Sequence, residues 1–246
     1  MRQKAHAQRM VTLGQRSPTR APVRRVRVTS VQLKLVMAVS GAIMLGFLVV
    51  HMIGNLKLFL GAAAIDEYSA WLRTAGEPAV PAGTVLWVTR IVLLAAVLGH
   101  IGSAVVLTRR AHRARPVRYA HHRPVNGSYA ARTMRWGGVI IALFVVYHIL
   151  DLTTGTLNPH GVHGEVADNL IADFALDRWY VTLFYVLAVV AVGFHIRHGL
   201  WSALQTIGRS SAATQTTLKG VALAVAVVLT AGFLSVPFAV MTGLVS

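Results

Sequence analysis

The chain has 246 residues, of which 55% are hydrophobic and only 13% are charged. A typical soluble domain has about 25% charged residues, so this composition indicates a membrane protein and argues against a soluble enzyme. The absence of cysteine excludes disulfides, iron–sulfur ligation and a thiol nucleophile within the chain.

The formal charge of +16 comes from basic residues that are concentrated in two regions. Nine of the 24 lysines and arginines lie within 1–34 and eight lie within 109–135, whereas all eight acidic residues lie elsewhere. This separation is typical of membrane topology, because basic loops are retained in the cytoplasm. We therefore interpret the basic arm as solvated and in contact with anionic lipid, in preference to nucleic-acid binding.

Residues 1–28 lack apolar periodicity and are predicted to form an irregular cytoplasmic arm, followed by a membrane domain over 29–246. Five long apolar segments occupy 31–60, 84–108, 134–157, 178–208 and 216–243. In a helix, at about 1.5 Å per residue, each exceeds the hydrocarbon thickness of about 30 Å. The sequence thus predicts an all-α membrane protein with five transmembrane helices, the first four of them forming a four-helix bundle.

The loops between these segments fix the expected orientation. The basic loop over 109–135 is predicted to be cytoplasmic and the acidic loops over 61–83 and 158–177 to lie outside. The N-terminus is therefore expected in the cytoplasm and, after five spans, the C-terminus outside. Within the first outer loop, residues 65–75 have the pattern of a short amphipathic helix, and an ordinary loop is the alternative interpretation.

Each of the first four apolar segments contains one histidine in its interior. These are His51, His100, His148 and His195. An unpaired polar group in lipid costs roughly several kcal/mol, so each imidazole requires a partner. By their distance from the ends of their segments, His51 and His148 share the outer half of the membrane, whereas His100 and His195 lie further in.

Histidines paired at two depths suit the axial ligation of two haems. A neutral imidazole binds haem iron well, and two axial imidazoles give a centre that transfers electrons instead of binding oxygen. The alternative hypothesis makes these histidines proton relays or hydrogen-bonding contacts between helices. His198 lies three residues after His195, and spacing alone does not decide which of the two pairs with His100.

Small residues near the histidines would let a flat macrocycle approach the backbone of the helices. The candidates for this role are Gly54, Gly99, Gly102, Gly193 and Gly199.

Three stretches of the sequence resemble the cytochrome b membrane anchor of the succinate dehydrogenase and fumarate reductase family. They are HMIGNLKLFLG (51–61), YAARTMRWGGVIIALFVVYHILDLT (129–153) and GFHIRHGLWSALQTIG (193–208). The specific likeness is to the single-chain, five-helix, di-haem type of the bacterial cytoplasmic membrane, and it covers about residues 30–243.

The resemblance implies a role for each histidine. His51, His100, His148 and His195 would be the axial ligands of two haems b, and His198 would lie near a haem propionate or a ligand. Some fumarate reductases of this type carry a glutamate two residues before the fourth-helix ligand, where this sequence has Gly193. That departure weakly favours succinate oxidation over fumarate reduction.

The resemblance also implies a complex. A flavoprotein subunit with FAD would oxidise succinate, and an iron–sulfur subunit would carry the electrons. This chain would anchor both and reduce a quinone in the membrane, with menaquinone as the first candidate. The basic loop over 109–135 is a candidate docking surface, with ordinary positive-inside charge as the alternative.

Asp151 is the candidate for quinone or proton chemistry at the outer haem, because it is the only acidic residue within a predicted span and lies one turn from His148. The alternative is a carboxylate that orients a ligand histidine. Ser30, Gln32 and Lys34 are the polar candidates for a quinone site at the inner face. Two other functions remain open: the haem anchor of a different respiratory oxidoreductase, and a haem-free, proton-coupled transporter.

The charge distribution gives a testable topology. A reporter enzyme that works only outside the cytoplasm should be active when it is fused to Ser246 and inactive when it is inserted into the 109–135 loop. Activity at Ser246 of a reporter that works only in the cytoplasm would contradict the prediction.

Overall fold

The structure is a computed structural model that describes residues 28–114, 127–162, 164–206 and 211–245, with backbone alone at 127–133, 206 and 212. Residues 1–27 of the predicted arm lie outside the described residues, as do Arg115, Arg118 and Arg123 of the candidate docking loop.

The described residues form α-helices and no strand. The helices are α1 Ser30–Leu56, α2 Ala62–Thr74, α3 Thr84–Arg113, α4 Gly127–His148, α5 Val166–Asp173, α6 Trp179–Thr206 and α7 Ala212–Met241. A 3₁₀ turn (Lys57–Leu60) continues α1, a π turn (Ile149–Thr153) continues α4, and a 3₁₀ turn (Leu176–Arg178) leads into α6.

Five helical stretches are long and apolar enough to cross a membrane. They are Ser30–Leu60, Thr84–Arg113, Met134–Thr153, Leu176–Gln205 and Ala213–Met241. This confirms the predicted all-α class and the five spans. The third span ends at Thr153, earlier than the predicted 157, because the chain beyond the π turn leaves helical geometry.

The spans pack as two layers with a fifth helix beside them. α1 packs closely on α3, α4 packs closely on α6, and α7 lies against both α6 and α1. By contrast, the backbones of α1 and α4, and those of α3 and α6, have few close approaches. Side chains therefore bridge the space between the α1–α3 layer and the α4–α6 layer.

Helices α2 and α5 cover one end of the bundle, which we call the capped end. The expected amphipathic helix over 65–75 is present as α2, whereas α5 lies in a region that the sequence predicts to be a loop. Together with the ends of the spans, the two helices enclose an apolar cluster. Its members are Leu58, Ile65, Ala167, Leu170, Phe174, Val181, Tyr185, Val236 and Val240. The opposite end, which carries Arg110 and Arg135, is the basic end.

Asp66 of α2 determines where α5 begins. Glu165, which precedes α5, makes no capping hydrogen bond through its side chain. Instead, Asp66 Oδ1 accepts hydrogen bonds from the backbone N–H groups of Val166 (2.9 Å) and Ala167 (3.1 Å). A carboxylate at a helix N-terminus satisfies free N–H groups and is favoured by the helix dipole.

We expect Asp66→Ala to weaken α5 by about 1 kcal/mol, the usual cost of losing an N-cap. Amide hydrogen exchange at Val166 and Ala167 should then be roughly fivefold faster. Glu67→Ala is the matched control, because Glu67 is exposed on the same helix. Equal exchange rates in the two variants would show that Asp66 does not hold α5.

Candidate functional site

Two histidine pairs bridge the layers of the bundle. The ring centroids of His51 (α1) and His148 (α4) are 5.8 Å apart, and those of His100 (α3) and His195 (α6) are 6.1 Å apart. These are the pairs that the depths of the histidines in the sequence predict. The first pair lies toward the capped end and the second toward the basic end.

His198 lies apart from both pairs. Its ring packs against Trp201 with centroids 5.6 Å apart, while His195 faces His100. Three helical positions rotate a side chain to within about 60° of its starting direction, which is enough to direct His198 away from the partner of His195.

The separation of each pair fits one metal ion between two imidazoles. A metal–imidazole bond is about 2 Å long, as in zinc sites, so two rings on opposite sides of one ion have centroids about 6 Å apart. Among the described residues no group of three or more metal-binding side chains occurs, so any metal here would depend on paired histidines and a group that fills its remaining positions.

The chain holds His100 in one tautomer. Its Nδ1 lies 3.1 Å from the carbonyl oxygen of Met37 and 3.2 Å from Ser40 Oγ. A carbonyl can only accept, so Nδ1 carries the proton and Nε2 has the free electron pair of a metal ligand. Ser40 is itself fixed by donating to the carbonyl of Val36 at 2.7 Å.

His148 is oriented through a tyrosine. Tyr185 donates its hydroxyl proton to Asp151 Oδ2 at 2.8 Å, and its oxygen lies 3.4 Å from His148 Nδ1. The hydroxyl oxygen is thus placed to accept from Nδ1–H, which again leaves Nε2 of the imidazole free. A carboxylate that acts through an intermediate to orient a ligand histidine is a common second layer of metal sites.

Apolar and small residues complete the surroundings of the pairs. Phe47 stacks on His51 with centroids 5.3 Å apart, and Phe144 lies beside His148 at 5.7 Å. At the basic-end pair, a Cβ on Gly41 would contact the His100 ring at 3.5 Å, and one on Gly138 would contact the His195 ring at 3.8 Å. His195 Nδ1 is buried without a hydrogen-bond partner, which leaves a polar atom for a bound group to satisfy.

Two glycines near the histidines have a different role from the expected one. Gly54 and Gly193 were expected to admit a flat macrocycle. A Cβ on Gly54 would collide with the Tyr68 ring at 2.7 Å, and one on Gly193 would overlap the Thr230 hydroxyl. These glycines therefore permit close packing onto α2 and α7.

Asp151 belongs to a buried polar cluster at the capped end. Asp151 and Asp173 are both 0% exposed. Asp173 Oδ1 lies 2.9 Å from Arg178 Nη1, which also donates to Asn158 Oδ1 at 3.1 Å. Burial and the adjacent Asp151 carboxyl raise the pKa of Asp173 to about 7, although Arg178 acts in the opposite direction.

Sequence reasoning did not identify Tyr185, Asp173 or Arg178 as parts of the site. Tyr185 lies ten residues before His195, and the buried acid and base lie near the predicted edge of the fourth span. An arginine followed by an aromatic pair at a span edge is normally interpreted as an interfacial anchor. Only the burial of Arg178 against Asp173 shows that this arginine belongs to a buried polar cluster and is not an interfacial anchor.

The inner-face candidates are already engaged at the basic end. Ser30 Oγ accepts from Arg110 Nη1 at 3.1 Å, and the Gln32 side chain accepts from the backbone N–H of Thr29 at 2.8 Å in a capping box. Lys34 is exposed. Their contacts explain how α1 begins, and their assignment to a quinone site stays a prediction.

Comparisons with protein-family models, curated proteins and solved structures find no match to this chain.

On the hypothesis that a haem binds between His51 and His148, we expect Tyr185→Phe to weaken its retention by about tenfold, because residues that orient a ligand contribute 10- to 100-fold to affinity. Retention at the His100–His195 pair should not change. Tyr180→Phe is the control, since Tyr180 is exposed on the same helix. Binding can be measured by titrating haem into the haem-depleted chain, and equal affinities for Tyr185→Phe and wild type would contradict the orienting role.

Proposed function

We propose that this chain is a membrane-anchor cytochrome b that holds two haems, one between His51 and His148 and one between His100 and His195. The observation that carries this proposal is the spacing of the two pairs, 5.8 Å and 6.1 Å between ring centroids. Four histidines from four spans meet as two facing pairs, although the backbones of α1 and α4, and those of α3 and α6, have few close approaches.

The chain's own residues would bind, orient and shield the two groups. Bound between two imidazoles, a haem supplies a one-electron centre without an open coordination position. Met37 and Ser40 fix the tautomer of His100, and Tyr185 orients His148. Phe47 and Phe144 line the capped-end pair, which limits the access of water to it.

We further propose that the chain is the anchor of a succinate:quinone oxidoreductase. Support for this finer assignment comes from the three sequence stretches at 51–61, 129–153 and 193–208. An iron–sulfur subunit would dock at the basic end and deliver electrons from a flavoprotein subunit, and the capped end would face outward. Quinone, with menaquinone as the first candidate, would accept the electrons within the membrane.

The geometry of the histidine pairs bears on one alternative, and an experiment separates the other. The spacing of the two pairs favours haem over a haem-free transporter, because facing imidazoles with centroids about 6 Å apart leave room for one metal ion between them. The anchor of another respiratory oxidoreductase would share the two histidine pairs. Purification through this chain distinguishes the two complexes, since a covalently flavinylated subunit indicates succinate dehydrogenase and a molybdenum subunit indicates the alternative.

The role of Asp151 in quinone chemistry is part of this proposal. The carboxyl group is fully buried and contacts Tyr185, so a quinone would be linked to it through that tyrosine.

Haem analysis tests the core of the proposal. The purified chain should contain two haems b, because no cysteine is present for covalent attachment. His51→Ala and His148→Ala should each lose the same haem, and His100→Ala and His195→Ala should each lose the other. Pyridine haemochrome quantification and reduced-minus-oxidised spectra measure both outcomes.

Two further histidines supply the controls for this experiment. His198→Ala and the exposed His160→Ala should retain both haems. A wild-type chain without haem would refute the cytochrome assignment. Loss of a haem in His198→Ala, with both retained in His195→Ala, would show that the ligand on α6 is misassigned.

A further inference from the structure

The capped end contains two carboxyl groups in contact inside the protein. Asp151, on the π turn after α4, and Asp173, at the end of α5, are each 0% exposed and lie within hydrogen-bonding reach of one another. One oxygen of Asp151 accepts from Tyr185, and one oxygen of Asp173 faces Arg178. Asp151 Oδ1 and Asp173 Oδ2 have no donor.

The contacts of this pair favour the binding of one proton. Two ionised carboxylates beside one arginine leave one negative charge uncompensated, and burial makes such a charge costly. A proton on either carboxyl group removes the excess charge. It also supplies an O–H donor to a neighbouring oxygen, as in other carboxyl pairs that share one proton.

The other groups that face the pair are few. The charged or titratable ones are Tyr147 on α4, Arg178 before α6, Tyr185 on α6 and, through Tyr185, His148. The remaining elements contribute apolar side chains to the enclosing cluster: Leu58 after α1, Ile65 of α2, and Val236 and Val240 of α7. Asp66 lies at the opposite end of α5. Arg178 is thus the cation that balances the pair among the described residues.

The pair is connected to the capped-end histidines. Asp151 contacts Tyr185, whose hydroxyl oxygen is 3.4 Å from His148 Nδ1. An electron added between His51 and His148 introduces one negative charge next to this chain of contacts. That charge favours the binding of a proton by a neighbouring carboxylate.

We propose that Asp151 and Asp173 share one proton, and that the binding of this proton is coupled to reduction of the capped-end haem site. The coupling rests on the proposed function, whereas the shared proton does not. One electron comes from the reductant, one proton comes from water at the capped end, and a single O–H bond forms on the pair. The net charge of the region is then unchanged by reduction.

The coupling predicts a pH dependence with a definite sign. Burial and the adjacent Asp151 carboxyl raise the pKa of Asp173 to about 7, so Asp173 is partly protonated near neutral pH, and reduction raises its proton occupancy. A tenfold fall in proton activity should therefore lower the midpoint potential of the capped-end haem by up to 59 mV, the value for one electron and one proton. The midpoint potential of the basic-end haem should not depend on the protonation of this pair.

Asp151→Asn removes the proton site with little loss of contacts. The amide oxygen can still accept from Tyr185, the amide N–H can donate to Asp173, and Asp173 keeps Arg178 as its partner. Asp177→Asn is the matched control, because Asp177 is exposed four residues from Asp173.

Infrared spectroscopy of the full chain tests the shared proton without reference to haem. The wild type and Asp177→Asn should show the C=O stretch of a buried protonated carboxyl at neutral pH, lost on raising the pH, and Asp151→Asn should lack it. Absence of the signal from the wild type overturns the proposal, even if the variant does not accumulate.

A redox titration of the haem-loaded protein between acidic and alkaline pH tests the coupling. The midpoint potential of the capped-end haem should fall with rising pH in the wild type and in Asp177→Asn. This pH dependence should be lost in Asp151→Asn. If the wild type shows the infrared signal but its capped-end midpoint potential does not change with pH, the shared proton is supported and the coupling is overturned. A chain without haem overturns the proposed function and the coupling together, while the infrared result still decides the pair.

Discussion

The rest of the structure depends on one constraint: a polar side chain in the interior of a membrane-spanning bundle must have a partner. His51 meets His148 and His100 meets His195 at the places where the two helix layers approach little. The ring centroids of each pair are about 6 Å apart, a separation that leaves room for one metal ion between two imidazoles.

The constraint also explains why much of the fold could be predicted from the sequence. The five spans follow from hydrophobicity, which is a property of each segment alone. Depth along a helix follows from position, at about 1.5 Å per residue, and depth was sufficient to pair the four histidines. The choice between His195 and His198 needed more information. It depends on the rotation of α6 about its axis, which is fixed by packing against α4 and α7.

The capped end could not be predicted in the same way, because its contacts join distant parts of the chain. The start of α5 is capped by a carboxylate one hundred residues earlier, and Asp173 meets Asp151 across two elements. Each of these residues, taken alone, looks like an ordinary outer-loop acid. Their burial becomes visible only when α2 and α5 are folded over the ends of the spans.

The role of Gly193 becomes clear only from its packing against a neighbouring helix. Some fumarate reductases that the sequence resembles carry a glutamate at this position, and the resemblance predicts that a proton path through that residue is missing here. The structure adds a steric reason, because even a Cβ at this position would overlap Thr230 of α7. A carboxylate there would separate α6 from α7, so this packing and that proton path exclude each other.

The two histidine pairs consequently differ in the kind of group that supports them. At the basic end, a backbone carbonyl holds His100, and a carbonyl cannot change its charge near neutral pH. The contacts that hold His100 therefore include no group that can bind a proton near neutral pH. At the capped end, Tyr185 connects His148 to Asp151 and, through it, to Asp173. The carboxyl group of Asp173 can change its charge near neutral pH. On the proposed function, the side chains that orient His148 would also provide the place where a proton compensates an added electron.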